Sequence, residues 1–179
     1  MATKSWPPWA VSSLEKSLDR LMEAVRSGDS RDVDEQIWLT RFLVVRACGY
    51  LEQVVHEVVM GYIHGRVGGT VKSFSLSWMR KSRNPSPENL LDIVGRFDNS
   101  WRDELQEMLV ANGGLLNQEL LFLVDRRHQI AHGLNEGLNS RKAIELVSVS
   151  KQLADWFIRQ FDPDPATKRQ SKRTSAVSG

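Results

Sequence analysis

Seven consecutive residues hold most of the chemistry this chain could do: Arg127-His128-Gln129-Ile130-Ala131-His132-Gly133. Two of the four histidines lie here, and a second arginine, Arg126, directly precedes them. Arginine is a permanent cation whose planar fork matches phosphate oxygens. Histidine, as a residue type, exchanges protons near neutral pH. Together they suit one reaction in particular. RNA carries its own nucleophile, the 2′-hydroxyl. Cleavage then needs a base for that proton, an acid for the departing 5′-oxygen and positive charge on the phosphoryl group at the transition state. General acid–base help contributes roughly 10²–10⁴-fold. The products would be a 2′,3′-cyclic phosphate and a 5′-hydroxyl, and no metal or other cofactor is expected. DNA lacks the nucleophile and is not an expected substrate.

Blander readings exist for the same residues. Arg127 and His128 could be solvated helix residues, with His132-Gly133 merely ending the helix, since cations suit helix C-termini. His128 and His132, four apart, could also take part in a zinc site, but no third ligand is evident nearby.

The surrounding pattern is helical almost throughout. Ser12 or Ser13 can cap a first helix through Leu14, Leu18, Leu21, Met22 and Val25, with Gly28 as its stop. Asp32 or Asp34 can cap a longer second helix with an apolar face from Ile37 through Val44, Cys48, Leu51, Val55 and Val59 to Tyr62, ended by Gly65, Gly68 and Gly69. Residues 70–85 are ambiguous between a short helix and an extended segment. Ser86-Pro87-Glu88 is a clear helix start: a serine cap, proline in the first turn and an acid beside it. Asn99 or Ser100 starts the next helix, which Asn112-Gly113-Gly114 stops. The motif helix then runs from about Leu116 to His132, and a last helix from about Ser140 to Phe161. This pattern predicts an all-α bundle of about five to six helices. The domain is expected over 12–162, between an N-terminal segment 1–11 and a flexible basic tail 163–179. Trp38, Trp78, Trp101 and Trp156 are read as core or interface residues. Trp6 and Trp9 fall outside the core pattern and are candidates to pack on a partner chain.

Composition agrees with a soluble globular protein: 179 residues, 41% hydrophobic and 26% charged. The formal net charge is +2. The segment from Pro163 onward supplies +3 through Lys168, Arg169, Lys172 and Arg173 against Asp164, leaving −1 for the body. Whole-molecule charge therefore gives no argument for nucleic acid, although the tail could add loose phosphate contacts. The single cysteine, Cys48, excludes an internal disulfide framework and reads as a small core residue. No secretory signal and no apolar run of about 18 residues is visible, so a cytoplasmic protein without a membrane span is expected.

At this point the residues carry a family likeness. Arg127 to His132 resembles the R-x4-6-H motif of the HEPN superfamily of helical-bundle ribonucleases, in which the residue after Arg is usually Asn or Asp and His is an accepted variant. Arg46-Ala47-Cys48-Gly49-Tyr50-Leu51-Glu52 resembles the R-A-x-x-x-L-E run on an early long helix. Asn84-Pro85-Ser86-Pro87-Glu88-Asn89-Leu90-Leu91 and Phe97-Asp98-Asn99-Ser100-Trp101 are similar to the middle of the RiboL-PSP-HEPN branch. The likeness spans roughly 32–161. It implies a dimer whose two motifs face each other across one RNA-cleaving cleft, and a role as a toxin or phage-defence effector held by an antitoxin or other regulatory protein.

Geometry agrees that one copy is incomplete. Arg127 and His132 lie about 140° apart around a regular helix, whereas His128 and His132 share a face. The resemblance assigns His132 as general acid or base and Arg127 as the phosphate ligand, with His128 orienting the phosphate or sharing the proton. Arg126 also fits the loose spacing, but the family's Arg-polar-x-x-x-His form favours Arg127. Arg126, Glu52 and Arg46 are expected in support, Glu52 either facing the cleft or paired with Arg46 or Arg127. The expected partners are an RNA substrate and a second copy of the chain. The alternatives are a non-catalytic HEPN module that binds RNA or a protein, and a plain helical adaptor.

Overall fold

The computed structural model describes residues 6–28, 32–79, 82–134 and 137–164. Six helices are found among them: α1 Trp9–Arg26, α2 Val33–Arg66, α3 Gly69–Trp78, α4 Pro87–Gly95, α5 Asn99–Ala131 and α6 Ser140–Gln160. The all-α bundle predicted from apolar spacing is what forms. None of the described helices is long and apolar enough to cross a membrane. The basic tail from 165 onward lies outside the described residues.

Helix α2 is the spine. Twelve of its side chains are buried, from Thr40 to Ile63, because α1, α5 and α6 all pack along it. Helix α1 meets it through Val11, Leu18 and Val25, one side of the helix at seven-residue spacing. The core closes with Leu43, Leu51, Leu120, Leu153, Phe157 and Phe161, all with essentially no exposed area. One end is finished by an aromatic cluster, in which Tyr62 meets the edges or faces of Phe97, Trp101 and Phe161 at centroid distances of 5.8, 6.1 and 5.5 Å. Edge-to-face packing of this kind adds to simple burial.

The chain departs from the sequence reading at several points. Helix α1 starts at Trp9, three residues before Ser12, and Pro8 supplies the first carbonyl acceptor, for the Val11 N–H at 2.9 Å. Trp6 packs on its own chain: its Nε1 donates to the Ile158 carbonyl at 2.9 Å. Trp6 and Pro8 lie so close over Gly61 that an added Cβ there would stand 3.1–3.2 Å from them. Of the ambiguous stretch 70–85, the part up to Trp78 belongs to α3, none of whose own side chains is buried, and 82–85 are not helical. On α2, Ile37 is exposed and not in the core, and Trp38 is 66% exposed.

Two predicted punctuation marks decide where the motif sits. Ser86 Oγ accepts from the Asn89 N–H, capping α4. At Asn112, Gly113 and Gly114 three successive positive φ values, 53°, 72° and 76°, break α5 into two arms. The first arm packs on α4 and the second carries the motif.

Candidate functional site

The second arm of α5 ends in a tight stop. His132 is the C-terminal cap, Gly133 follows at φ +74°, the Leu134 N–H donates to the Gln129 carbonyl at 3.0 Å, and the Gly133 N–H donates to the Ile130 carbonyl at 3.1 Å. This paired six-to-one and five-to-two closure is the Schellman arrangement, which needs a residue free to adopt positive φ just past the cap. The stop holds His132 at the end of the last turn. Its ring meets that of His128 at a centroid distance of 4.3 Å and an angle of 65°. The two imidazoles therefore form one polar patch, as four-residue spacing requires.

Arg127, His128 and His132 are all exposed. Arg127 makes no ion pair among the described residues, so its guanidinium is available to an anion. Arg126 points elsewhere. It is half-buried and lies over the Phe122 ring at 4.7 Å, a cation–π contact that Lys142 also makes at 5.4 Å while pairing with Glu119 at 2.6 Å. Asp125 accepts from Gln129 Nε2 one turn on, at 2.9 Å.

Across from the motif runs the middle of α2. The buried Cys48 thiol has its pKa pushed up to about 11, mainly by burial; the nearby Arg127 charge opposes the rise and Glu52 adds to it. Cys48 thus lies within the electrostatic reach of both charged groups. Glu52 is half-buried and accepts a hydrogen bond from Ser82 Oγ at 2.5 Å. Of the two alternatives for Glu52, an ion pair with Arg46 or Arg127 is not found among the described residues. Arg46 is half-buried but six residues from Glu52, about 120° away around α2. Arg127 and Glu52 thus both act electrostatically on Cys48, while Arg126 lies over Phe122. Among the described residues no group of three or more His, Cys, Asp or Glu side chains is arranged to hold a metal.

Two features escaped the sequence reading. Ser82 is one, because its bond to Glu52 joins segments thirty residues apart. The other is a stripe on α2 at alternating spacings of four and three: Trp38, Phe42, Val45, Gly49, Glu52 and His56. Such spacing keeps to one side of a helix. Trp38 and Phe42 are exposed, the later members are half-buried, and a Cβ built on Gly49 would meet nothing within 4 Å.

A helical bundle that presents Arg-x4-His at the exposed end of its penultimate helix, beside the middle of its longest helix, is a HEPN-type domain. The comparison with family models specifies it further: the RiboL-PSP-HEPN model matches residues 8–162, and the chain belongs to that family. Membership supports an RNA-related module. No curated protein matches the chain, and no solved structure does.

Proposed function

We propose that this protein is a metal-independent endoribonuclease that works as a homodimer, with Arg127, His128 and His132 as its catalytic group. The observation that carries the proposal is the joint presentation, at the exposed end of α5, of two adjoining imidazoles and an Arg127 that makes no ion pair among the described residues. Arg127 grips the scissile phosphate and offsets the charge that builds on its oxygens. One His132 takes the proton from the 2′-hydroxyl, whose oxygen forms the new bond to phosphorus. The bond to the 5′-oxygen breaks, and that oxygen receives a proton from the second His132. His128 holds the phosphate beside this pair. Glu52, kept in place by Ser82, shapes the field behind the arginine.

Support for a dimer comes from two sides. A convex helix end cannot enclose a phosphate by itself. The α2 stripe offers a seam on which a second copy can lie, with apolar Trp38 and Phe42 at one end and the bare backbone of Gly49 allowing close approach at its middle. A role as a toxin or phage-defence effector, restrained by an antitoxin-like partner in the cytoplasm, belongs to the same reading.

The test uses purified protein and RNA in the presence of EDTA. Wild type should release fragments ending in 2′,3′-cyclic phosphate. Arg127→Ala and His132→Ala should each lower the rate by at least about 100-fold. Both side chains are exposed, so the melting temperature should stay within a few degrees. Cleavage that survives both substitutions would remove these residues from the mechanism. A wild type that binds RNA or a partner but never cuts would make this a non-catalytic HEPN module.

A further inference from the structure

Between α2 and α3 lies a groove of about 470 Å³ lined by His56, Met60, Ser73, Leu76, Ser77 and Met79. Its volume is in the range of small-ligand sites. Its chemistry is mixed. Met60 and Leu76 offer soft apolar surface over the buried Met79, and thioethers pack well on flat rings. Ser73 and Ser77 bring hydroxyls from α3. His56 brings an imidazole whose Nδ1 is shut off from solvent and has no hydrogen-bond partner among the described residues. Buried polar atoms are rarely left unmet, and an imidazole nitrogen can either donate or accept.

Position gives the groove its meaning. His56 is one helical turn beyond Glu52 on α2, and Glu52 shares the surroundings of Cys48 with Arg127. Along α2, His56 lies four residues beyond Glu52 and eight beyond Cys48, roughly 6 and 12 Å along the axis. Those spacings match the reach from a backbone phosphate to a neighbouring base in an extended strand. The segment after α3 links the two places, since Met79 lines the groove and Ser82 holds Glu52.

We propose that this groove is a nucleobase subsite, which receives one unpaired base of the strand whose phosphate Arg127 holds. The ring lies against Met60 and Leu76, and its hydrogen-bonding edge meets the His56 ring and the serine hydroxyls. Unstacked bases of single-stranded RNA are read in this manner, by flat packing and edge hydrogen bonds. The groove gives the site a preference among bases at one position near the cut. The phosphate half of the statement rests on the ribonuclease reading above; the base half does not.

Two arms of one experiment separate them. In the first, wild type, His56→Phe and Ser77→Trp cut a pool of RNA with randomised positions, and the fragment ends are sequenced. Wild type should favour one base over the others by at least fivefold at a fixed place. His56→Phe should flatten that preference. Ser77→Trp, which fills the groove from the exposed side of α3, should flatten it and slow cutting tenfold or more. In the second arm, fluorescently labelled tetranucleotides of A, C, G or U bind the same three proteins without any requirement for cleavage. Wild-type affinities should differ at least fivefold among the bases, and Ser77→Trp should erase the difference. Cutting with an unchanged base preference in both variants, at native circular dichroism and melting temperature, overturns the groove and leaves the nuclease standing. Absence of cutting with base-dependent binding that Ser77→Trp erases upholds the groove and overturns the nuclease. Base-blind binding, or none, overturns the subsite whichever way cleavage falls.

Discussion

Gly133 closes the turn that carries His132. With φ at +74°, this residue turns the chain so that two backbone N–H groups close the end of α5. A side chain there strains the turn by about 1–2 kcal/mol. A methyl group at this position would meet open space, so the penalty comes from the backbone rather than from a clash. Gly133→Ala should therefore lower stability by roughly that amount in a urea titration. It should also reduce RNA cleavage, because the last turn that carries His132 frays. Unchanged stability would mean that the turn is not held as described. Cys48 gives an independent reading of the same neighbourhood. Burial keeps its thiol protonated, with the pKa pushed up to about 11. Iodoacetamide at pH 8 should label it at least a hundredfold more slowly in the native protein than in urea. Fast native labelling would place the thiol, and with it the α2–α5 contact, nearer to solvent.

The elements divide into those that local chemistry specifies and those that distant contacts specify. Ser86-Pro87 and Asn112-Gly113-Gly114 were legible because a cap and a left-handed turn are made by the residues themselves. The motif helix followed from the second mark. Helix α3 was not legible, because it buries none of its own side chains and so leaves no clean 3.6-residue pattern. The place of Trp6 was equally hidden, since its partner, Ile158, is 152 residues away. The α2 stripe was masked by the many valines on the buried side of the same helix. For the candidate site, the residue types and spacing were in the sequence, but the different directions of Arg126 and Arg127 were not, because they depend on where Phe122 and Cys48 lie. The break in α5 makes a further prediction. Replacing Gly113 and Gly114 together by alanine should cost about 2–4 kcal/mol, from two residues held at positive φ. If the variant instead relieves the strain by straightening, the second arm leaves α2 and cleavage is lost at unchanged helicity. Full activity at full stability would contradict the bent helix.

At the scale of the whole molecule, three groups respond to alkali with the same sign. Burial raises the pKa of Cys48, and burial together with Glu15, Asp155 and Asp19 raises that of Tyr50. Burial would lower that of Lys151, but its bonds to Asp19 and Glu15 outweigh burial and raise it. Each group holds its proton more tightly folded than unfolded. Stability is then fully present below about pH 9, the unfolded pKa of the Cys48 thiol, and is lost as pH rises through the folded values. Thermal melts from pH 7 to 11 should show a falling midpoint above pH 9; a flat profile would contradict the three shifts. Assembly is the other property of the whole, and Gly49 isolates it. In a single chain a side chain at this position meets open space. Inside a helix, loss of glycine is favourable by up to about 1 kcal/mol. Gly49→Leu should therefore leave the folded chain as stable as wild type or slightly more so. In a dimer joined along the α2 stripe, the same leucine sits at the closest approach and forces the copies apart. Sedimentation should then report a monomer where wild type is a dimer, and RNA cleavage should fall with it, although Arg127 and His132 are untouched. A Gly49→Leu protein that remains a dimer and cuts normally would place the contact elsewhere, and a wild type that is a fully active monomer at every concentration would mean that one Arg127–His132 pair is sufficient.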